Sequence, residues 1–245
     1  QLGSVADTMD NNTEQGTEIS IPAAYRAVQF RDAARSLDYE IVVHDPATDF
    51  EAWHISSSAP STNATLSADI LGGSGTFVDV GANIGLIAVP VAMTGPNVIC
   101  VEPNPANILM LTLAARRNRL DNFEIYHGAS SSVDGILRFA GTEAWGHISE
   151  SESAFPVTAL RLDTILAPIL DRSDRSTSKM VLKVDVEGHE AEVLKGAIRT
   201  LTSANPYVII ESIEIEGQED KNNTAPAKAI LEDLGFSLYL VRDEV

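Results

Sequence analysis

The sequence predicts an α/β protein built on a mostly parallel sheet, and three observations carry that expectation. From Thr76 onward, apolar runs of strand length alternate with helical stretches, the order that gives parallel strands joined by helical crossovers. The segment FVDVGANIG (77–85) joins an apolar strand to a Gly-rich turn and then to an apolar helix. That is the local arrangement in which a parallel sheet offers backbone N–H groups to a small ligand. The segment KVDVEGHE (183–190) ends a second apolar strand in a group of ionisable residues, at the edge where open α/β sheets bind ligands.

Composition narrows the class. A chain of 245 residues with 44% apolar content can bury a sizeable core and fits one large domain with an N-terminal extension. The formal net charge of −18 opposes a polyanionic partner, so nucleic acid is not expected. Cys100 is the single cysteine, which excludes an intrachain disulfide and a multi-thiolate metal site. It fits a reducing, cytoplasmic compartment. No run approaches the roughly 20 apolar residues of a membrane span. Gln1 in place of Met points to a trimmed N-terminus that could have carried a targeting segment.

In order, residues 1–19 are polar and acidic and are expected to form a flexible tail. Residues 20–75 are read as an N-terminal unit. Ser20 is an expected N-cap, with Pro22 in the first turn and Ala24, Tyr25 and Val28 as an apolar stripe, giving a helix to about residue 37. Two β-like runs, 39–44 and 50–55, flank Asp45-Pro46-Ala47-Thr48 and suggest a hairpin. A connector with a short helix near 66–71 leads into the main domain, 76–245. There the expected strands are 77–80, 98–101, 123–127, 180–184, 207–211 and 236–241. The expected helices are 85–93, 105–118, 163–170, 189–201 and 225–234. An insertion at about 134–160 interrupts the alternation with β-like pieces at 136–139 and 155–160, around a polar segment containing Trp145 and His147.

The motifs supply candidate site residues. Gly81, Asn83 and Gly85 follow Asp79 in a D-x-G-x-N-x-G pattern; the glycines permit positive φ and close backbone approach, and Asp79 can orient the loop or accept from an ammonium group. A G-x-G-x-x-G dinucleotide fingerprint is absent. Glu102 ends the next strand one helix and one strand later, where an acid can accept both ribose hydroxyls of a nucleoside. Along the strand ending at Asp185, alternation puts Val181, Lys183 and Asp185 on one face, so Lys183 needs an acidic partner such as Asp79 or Glu211. Glu187 and His189 complete the ionisable group, in which burial and mutual charge can shift pKa values for acid/base work. Glu190 reads as a negative charge at a helix N-terminus, and the acids from Glu214 to Asp220 as a solvated loop.

With FVDVGANIG, VEPNP, KVDVEGHEAEVLKGA and YVIIES in this order, the chain resembles the FkbM family of S-adenosylmethionine-dependent methyltransferases over about 76–241. The resemblance implies a doubly wound, Rossmann-like, seven-stranded class I sheet in the order 3-2-1-4-5-7-6, its last strand antiparallel. It implies S-adenosyl-L-methionine as cofactor and O-methylation of a sugar, glycan or secondary-metabolite hydroxyl. Carried over by residue, Asp79, Gly81, Asn83 and Gly85 would hold the methionine part of the cofactor and Glu102 its ribose. By position, Ala129 and Ser130 would flank the adenine, although Gly128-Ala129-Ser130-Ser131 lacks the acid or amide that many class I enzymes place there. Asp185, Glu187 and His189 match the second motif. Asp185 or His189 is the expected base, and Asp185 also borders the methyl end of the cofactor. The N-terminal 75 residues and the insertion match nothing in the family pattern and are where acceptor choice is expected to reside.

Two other readings remain open. One is an N-methyltransferase acting on a protein or small amine, favoured by the acidic rim. The other is a non-catalytic S-adenosylmethionine-binding module, against which the retained Asp185, Glu187 and His189 argue. Magnesium on the rim acids lacks a dedicated ligand loop, so activity is expected to survive chelation.

Overall fold

The structure is a computed structural model that describes residues 19–48, 51–52, 55–56, 59–141, 146–171, 179–210 and 224–241. Its centre is a five-stranded sheet of β3 (Thr76–Val80), β4 (Asn97–Glu102), β5 (Phe123–His127), β10 (Met180–Val184) and β11 (Tyr207–Ile210). The strand order is β11-β10-β3-β4-β5, and every neighbouring pair is parallel. The order reverses between β3 and β10, so the carboxyl ends of these two strands border a crevice where such sheets take ligands.

Both faces of the sheet are buried, which is why β3 and β10 are apolar on both faces apart from the paired charges of Asp79 and Lys183. On one face Val78, Val80, Val101, Leu182 and Val184 pack against α4 (Leu162–Ile165), α5 (Ala167–Leu170), α6 (Glu190–Lys195), α7 (Ile198–Ser203) and α8 (Ala225–Asp233). On the other, Phe77, Val98, Cys100 and Val181 pack against α1 (Thr62–Leu71), α2 (Ala88–Met93) and α3 (Pro105–Arg117). A second sheet, ordered β6-β9-β7-β8, consists of β6 (Ala129–Ser130), β7 (Gly135–Ala140), β8 (His147–Ile148) and β9 (Phe155–Leu160). Its strands β7, β8 and β9 occupy the stretch expected as an insertion, and β6 lies just before it; Trp145 lies outside the described residues.

The N-terminal unit differs from expectation. Residues 25–32 form a strand, β1 (Tyr25–Asp32), paired antiparallel over its full length with β2 (Leu37–His44). The spacing of Ala24, Tyr25 and Val28 fits a helix, but Val28 and Phe30 fit a strand equally, and tertiary pairing decides between them. Asp32 closes the hairpin turn by accepting the Arg35 N–H at 3.1 Å and pairing with the Arg35 guanidinium at 2.8 Å. Phe30, Tyr39, Ile41 and Val43 then bury themselves against Val89, Met110 and Leu113. The run 50–55 is not the second strand of a hairpin: Glu51, Ala52, Ile55 and Ser56 are helical. The cause is a capping box, in which Thr48 Oγ1 accepts the Glu51 N–H at 3.3 Å and Glu51 Oε2 accepts the Thr48 N–H at 2.7 Å.

Three further expectations change. The single helix over 163–170 is two short turns, with Pro168 removing an N–H near the start of the second. The helix over 189–201 breaks at Gly196, where a side chain would lie 2.0 Å from the Ser131 carbonyl oxygen. Residues 236–241 form no strand, and Tyr239 is 86% exposed; after Gly235 (φ 86°) the chain finds no ladder partner among the described residues. The antiparallel strand and the 7-6 end of the expected order are therefore not seen among the described residues. The stretch 211–223, which includes Glu211, lies outside them.

Candidate active site

The site is assembled where β3 and β10 end. Parallel register sets Lys183 directly beside Asp79, with Cys100 next along the same row. Lys183 Nζ lies 3.0 Å from Asp79 Oδ1 and 3.2 Å from Asp185 Oδ2, and donates to the Gly81 carbonyl oxygen at 3.0 Å. The expected acidic partner of Lys183 is therefore Asp79, joined by Asp185. Asp79 is fully enclosed, so its contact with Lys183 is a buried ion pair. Burial raises the Asp79 pKa, the Lys183 charge opposes that rise, and Asp185 adds to it. Burial works against the Lys183 charge, but the two carboxylates outweigh it and hold the ammonium firmly protonated.

The Gly-rich turn is fixed by its backbone. The N–H groups of Gly81 and Ala82 both donate to the Val101 carbonyl, at 2.9 and 3.3 Å, which ties the turn to β4. Gly81 has φ 82°, and a Cβ there would lie 1.8 Å from the Asp185 carbonyl oxygen. Only glycine lets the two loops approach this closely. Asn83 also adopts a left-handed φ of 52°, which asparagine tolerates better than most residues. Gly85 (φ 92°) packs its bare face against Leu111.

Glu102 ends β4 and is 4% exposed. Its Oε2 accepts the Asn83 N–H at 2.9 Å; its Oε1 accepts the Asn104 N–H at 2.9 Å and Asn107 Nδ2 at 3.3 Å. A carboxylate has about four acceptor positions, so three are taken and one remains. Glu102 therefore keeps an acceptor position beside those its three donors take. Burial raises its pKa against the opposing pull of these donors.

His189 and Glu187 follow. His189 Nε2 lies 3.0 Å from Ser131 Oγ, in the segment that leaves β6. Burial lowers the His189 pKa, with Glu192 and Glu190 opposing, so its imidazole favours the neutral form. Glu187 sits at a left-handed φ of 54°; burial, then Asp185 and Glu190, raise its pKa. Ala129 and Ser130 are buried in β6 beside Ala159 and Leu160, and Ser130 Oγ has no hydrogen-bond partner. No cluster of His, Cys, Asp and Glu suited to a metal ion occurs among the described residues.

The structure thus brings Asp79, Gly81, Asn83, Gly85, Glu102, Lys183 and Asp185 to one rim, with Glu187 and His189 in the turn that continues it. Sequence reasoning missed Ser131, which no local pattern marks, and Asn104, which the Asn-Pro step at a helix start does mark: Asn104 Oδ1 caps α3 through the Ala106 N–H at 3.0 Å. Glu190, read as a negative charge at a helix N-terminus, does open that helix, and it is 1% exposed.

The model of the methyltransferase FkbM domain matches residues 79–238. The chain belongs to the FkbM methyltransferase family. It is also 36% identical over 133 residues to the hexuronic acid methyltransferase AglP of Haloferax volcanii. That match covers 54% of each protein, so the chain spans about half the length of the curated relative. Among solved structures, a precorrin-6y C5,15-methyltransferase from Geobacter metallireducens aligns with 12% identity and a TM-score of 0.42, covering 71% of each chain. The Thermus thermophilus 16S rRNA N2 G1207 methyltransferase, in complex with AdoMet and guanosine, aligns with 22% identity and a TM-score of 0.33, over 44% of this chain and 29% of that one.

Proposed function

We propose that this FkbM-family protein is an S-adenosyl-L-methionine-dependent O-methyltransferase whose acceptor is a sugar hydroxyl. The observation that carries the reading is the Lys183 junction, which holds the Gly81 loop, Asp79 and Asp185 together at the crevice of the sheet. The sugar follows from the name of the hexuronic acid methyltransferase relative.

The residues present fit the cofactor. Glu102 keeps one acceptor position, the buried Ser130 hydroxyl lacks a partner, and the Gly81 turn is held at the crevice by the Asp185 backbone packed against it. Gly81, Asn83 and Gly85 would border the methionine part, with Asp79 orienting the loop from behind. Glu102 would take a ribose hydroxyl, and Ala129 and Ser130 would border the adenine. When bound, the cofactor supplies an electrophilic methyl group on a sulfonium.

The chain's own work is alignment and proton removal. Asp185, which pairs with Lys183 through Oδ2, can accept the hydroxyl proton or orient that hydroxyl in line. Glu187 lies two residues away and can take the same proton if ionised. His189, with Nε2 engaged by Ser131, has Nδ1 for proton transfer. Excess negative charge at this rim also favours a cationic ligand over the neutral thioether product.

The test is calorimetry of S-adenosyl-L-methionine with the wild type and Gly81→Ala, followed by methyl transfer to hexuronate-containing glycans from labelled cofactor. Wild-type binding, its loss in Gly81→Ala, and label in the sugar are expected. Wild-type protein that neither binds the cofactor nor labels any hydroxyl would overturn the reading.

A further inference from the structure

The turn between β10 and α6 contains a buried carboxylate that the methyl-transfer reading leaves without a role. Glu190 opens α6, and its Oε1 accepts two backbone N–H groups, from Val186 at 3.1 Å and from Gly188 at 3.2 Å. Its Oε2 is also buried and has no hydrogen-bond partner. Between the two held amides stands Glu187 at φ 54°, followed by Gly188 at φ 97°. A left-handed conformation is unfavourable for a residue such as glutamate and persists only where its surroundings over-determine it. Here the two N–H groups flanking Glu187 converge on one oxygen, which supplies that determination.

We infer that Glu190 is a positioning residue, whose carboxylate fixes the 186–188 turn and thereby presents the Glu187 and Asp185 carboxyl groups together at the rim. The contact is made by the side chain, folded back onto the turn that precedes its own helix. A charge serving the helix end alone would be exposed and would leave the Val186 and Gly188 amides to other partners. The surroundings of Glu187 agree with this placement: burial raises its pKa first, Asp185 and Glu190 add to the rise, and Lys183 opposes them. The geometric claim stands on the turn itself; its consequence for turnover rests on the methyl-transfer reading above.

Glu190→Ala and Glu190→Gln separate the possibilities, read by hydrogen exchange at the Val186 and Gly188 amides and by kcat, KM and cofactor affinity. Glutamine retains an acceptor oxygen and alanine does not. Glu190→Ala is expected to speed exchange of both amides by at least about tenfold over the global change. It should also lower kcat by about tenfold or more while cofactor affinity stays within about threefold. Glu190→Gln should keep both amides protected and most of the turnover. Unchanged exchange in Glu190→Ala, or a glutamine variant as impaired as alanine, would overturn the inference.

If Glu190→Ala does not fold, the background Glu187→Gly decides, because glycine removes the demand for a constrained turn. Glu190→Ala must fold there; failure to fold in the Glu187→Gly background as well refutes the coupling. Failure of wild-type protein to methylate anything would sink the functional reading and leave the exchange result to judge the turn.

Discussion

Replacing Lys183 by methionine gives the sharpest test of how the rim is held. Lys183 is 4% exposed, and its ammonium makes ion pairs with Asp79 and Asp185, with a hydrogen bond to the Gly81 carbonyl besides. At an effective dielectric of about 20, each pair has a gross attraction of about 5 kcal/mol, most of which repays the desolvation of the charges. Removing one partner is different, because it strands Asp79 in a fully enclosed position without its counter-charge. Breaking a buried pair in this way costs about 3–5 kcal/mol. A chain of 245 residues has an unfolding entropy of about 0.5 kcal/mol/K, so Tm should fall by roughly 6–10 °C. Asp185 contributes little to this cost, since its side chain is 29% exposed and can turn to water. The assay is calorimetric or urea unfolding of Lys183→Met beside the double variant Asp79→Asn/Lys183→Met. Neutralising the stranded acid should restore at least about half of the loss. A single variant that loses under about 1 kcal/mol, or a double variant no better than the single, would refute the argument from buried charge.

Two further outcomes follow from charge. The His189 imidazole should titrate below its ordinary value of 6.5 in an NMR experiment, because burial disfavours the cation. Stability from keeping it neutral is present above that ordinary value and is lost as pH falls through the lowered folded-state value; His189→Gln should flatten this slope. Salt should stabilise the protein, since a net charge of −18 repels itself and the Debye length shrinks from about 10 Å to about 3 Å between 0.1 and 1 M salt. Exposed pairs such as Arg31–Asp38 and Arg161–Asp134 weaken at the same time, but in water such pairs contribute little. A melting series in potassium chloride that shows Tm falling as salt rises would reverse that ranking.

Much of the central sheet could be read directly. The runs around Phe77, Val98 and Met180 are buried on both faces and bounded by glycine, asparagine or acid, so composition and length alone locate them to within about a residue. The partnership of Lys183 with Asp79 was legible because a buried ammonium on an apolar strand requires an anion. Other features were set by contacts distant in sequence. Whether residues 25–32 coil or extend depends on eight partners in β2, and their own spacing satisfies both patterns. Ser131 meets His189 across 58 positions of sequence. The Thr48-x-x-Glu51 box was local and available, but the aromatic and β-branched residues around it drew the reading toward a strand.

The directions of the bonds at Glu102 restrict what can join them. Asn83, Asn104 and Asn107 all approach as donors, which makes the carboxylate an acceptor shared by the Gly-rich turn and the start of α3. A newcomer must therefore also arrive as a donor, and a hydroxyl qualifies where an ether or carbonyl oxygen does not. Glutamine, nearly the same shape, would turn its NH2 toward at least one N–H whichever way it faced. The node thus selects its occupant by polarity before shape, and it ties whatever occupies the last acceptor position to the order of the loop beside it.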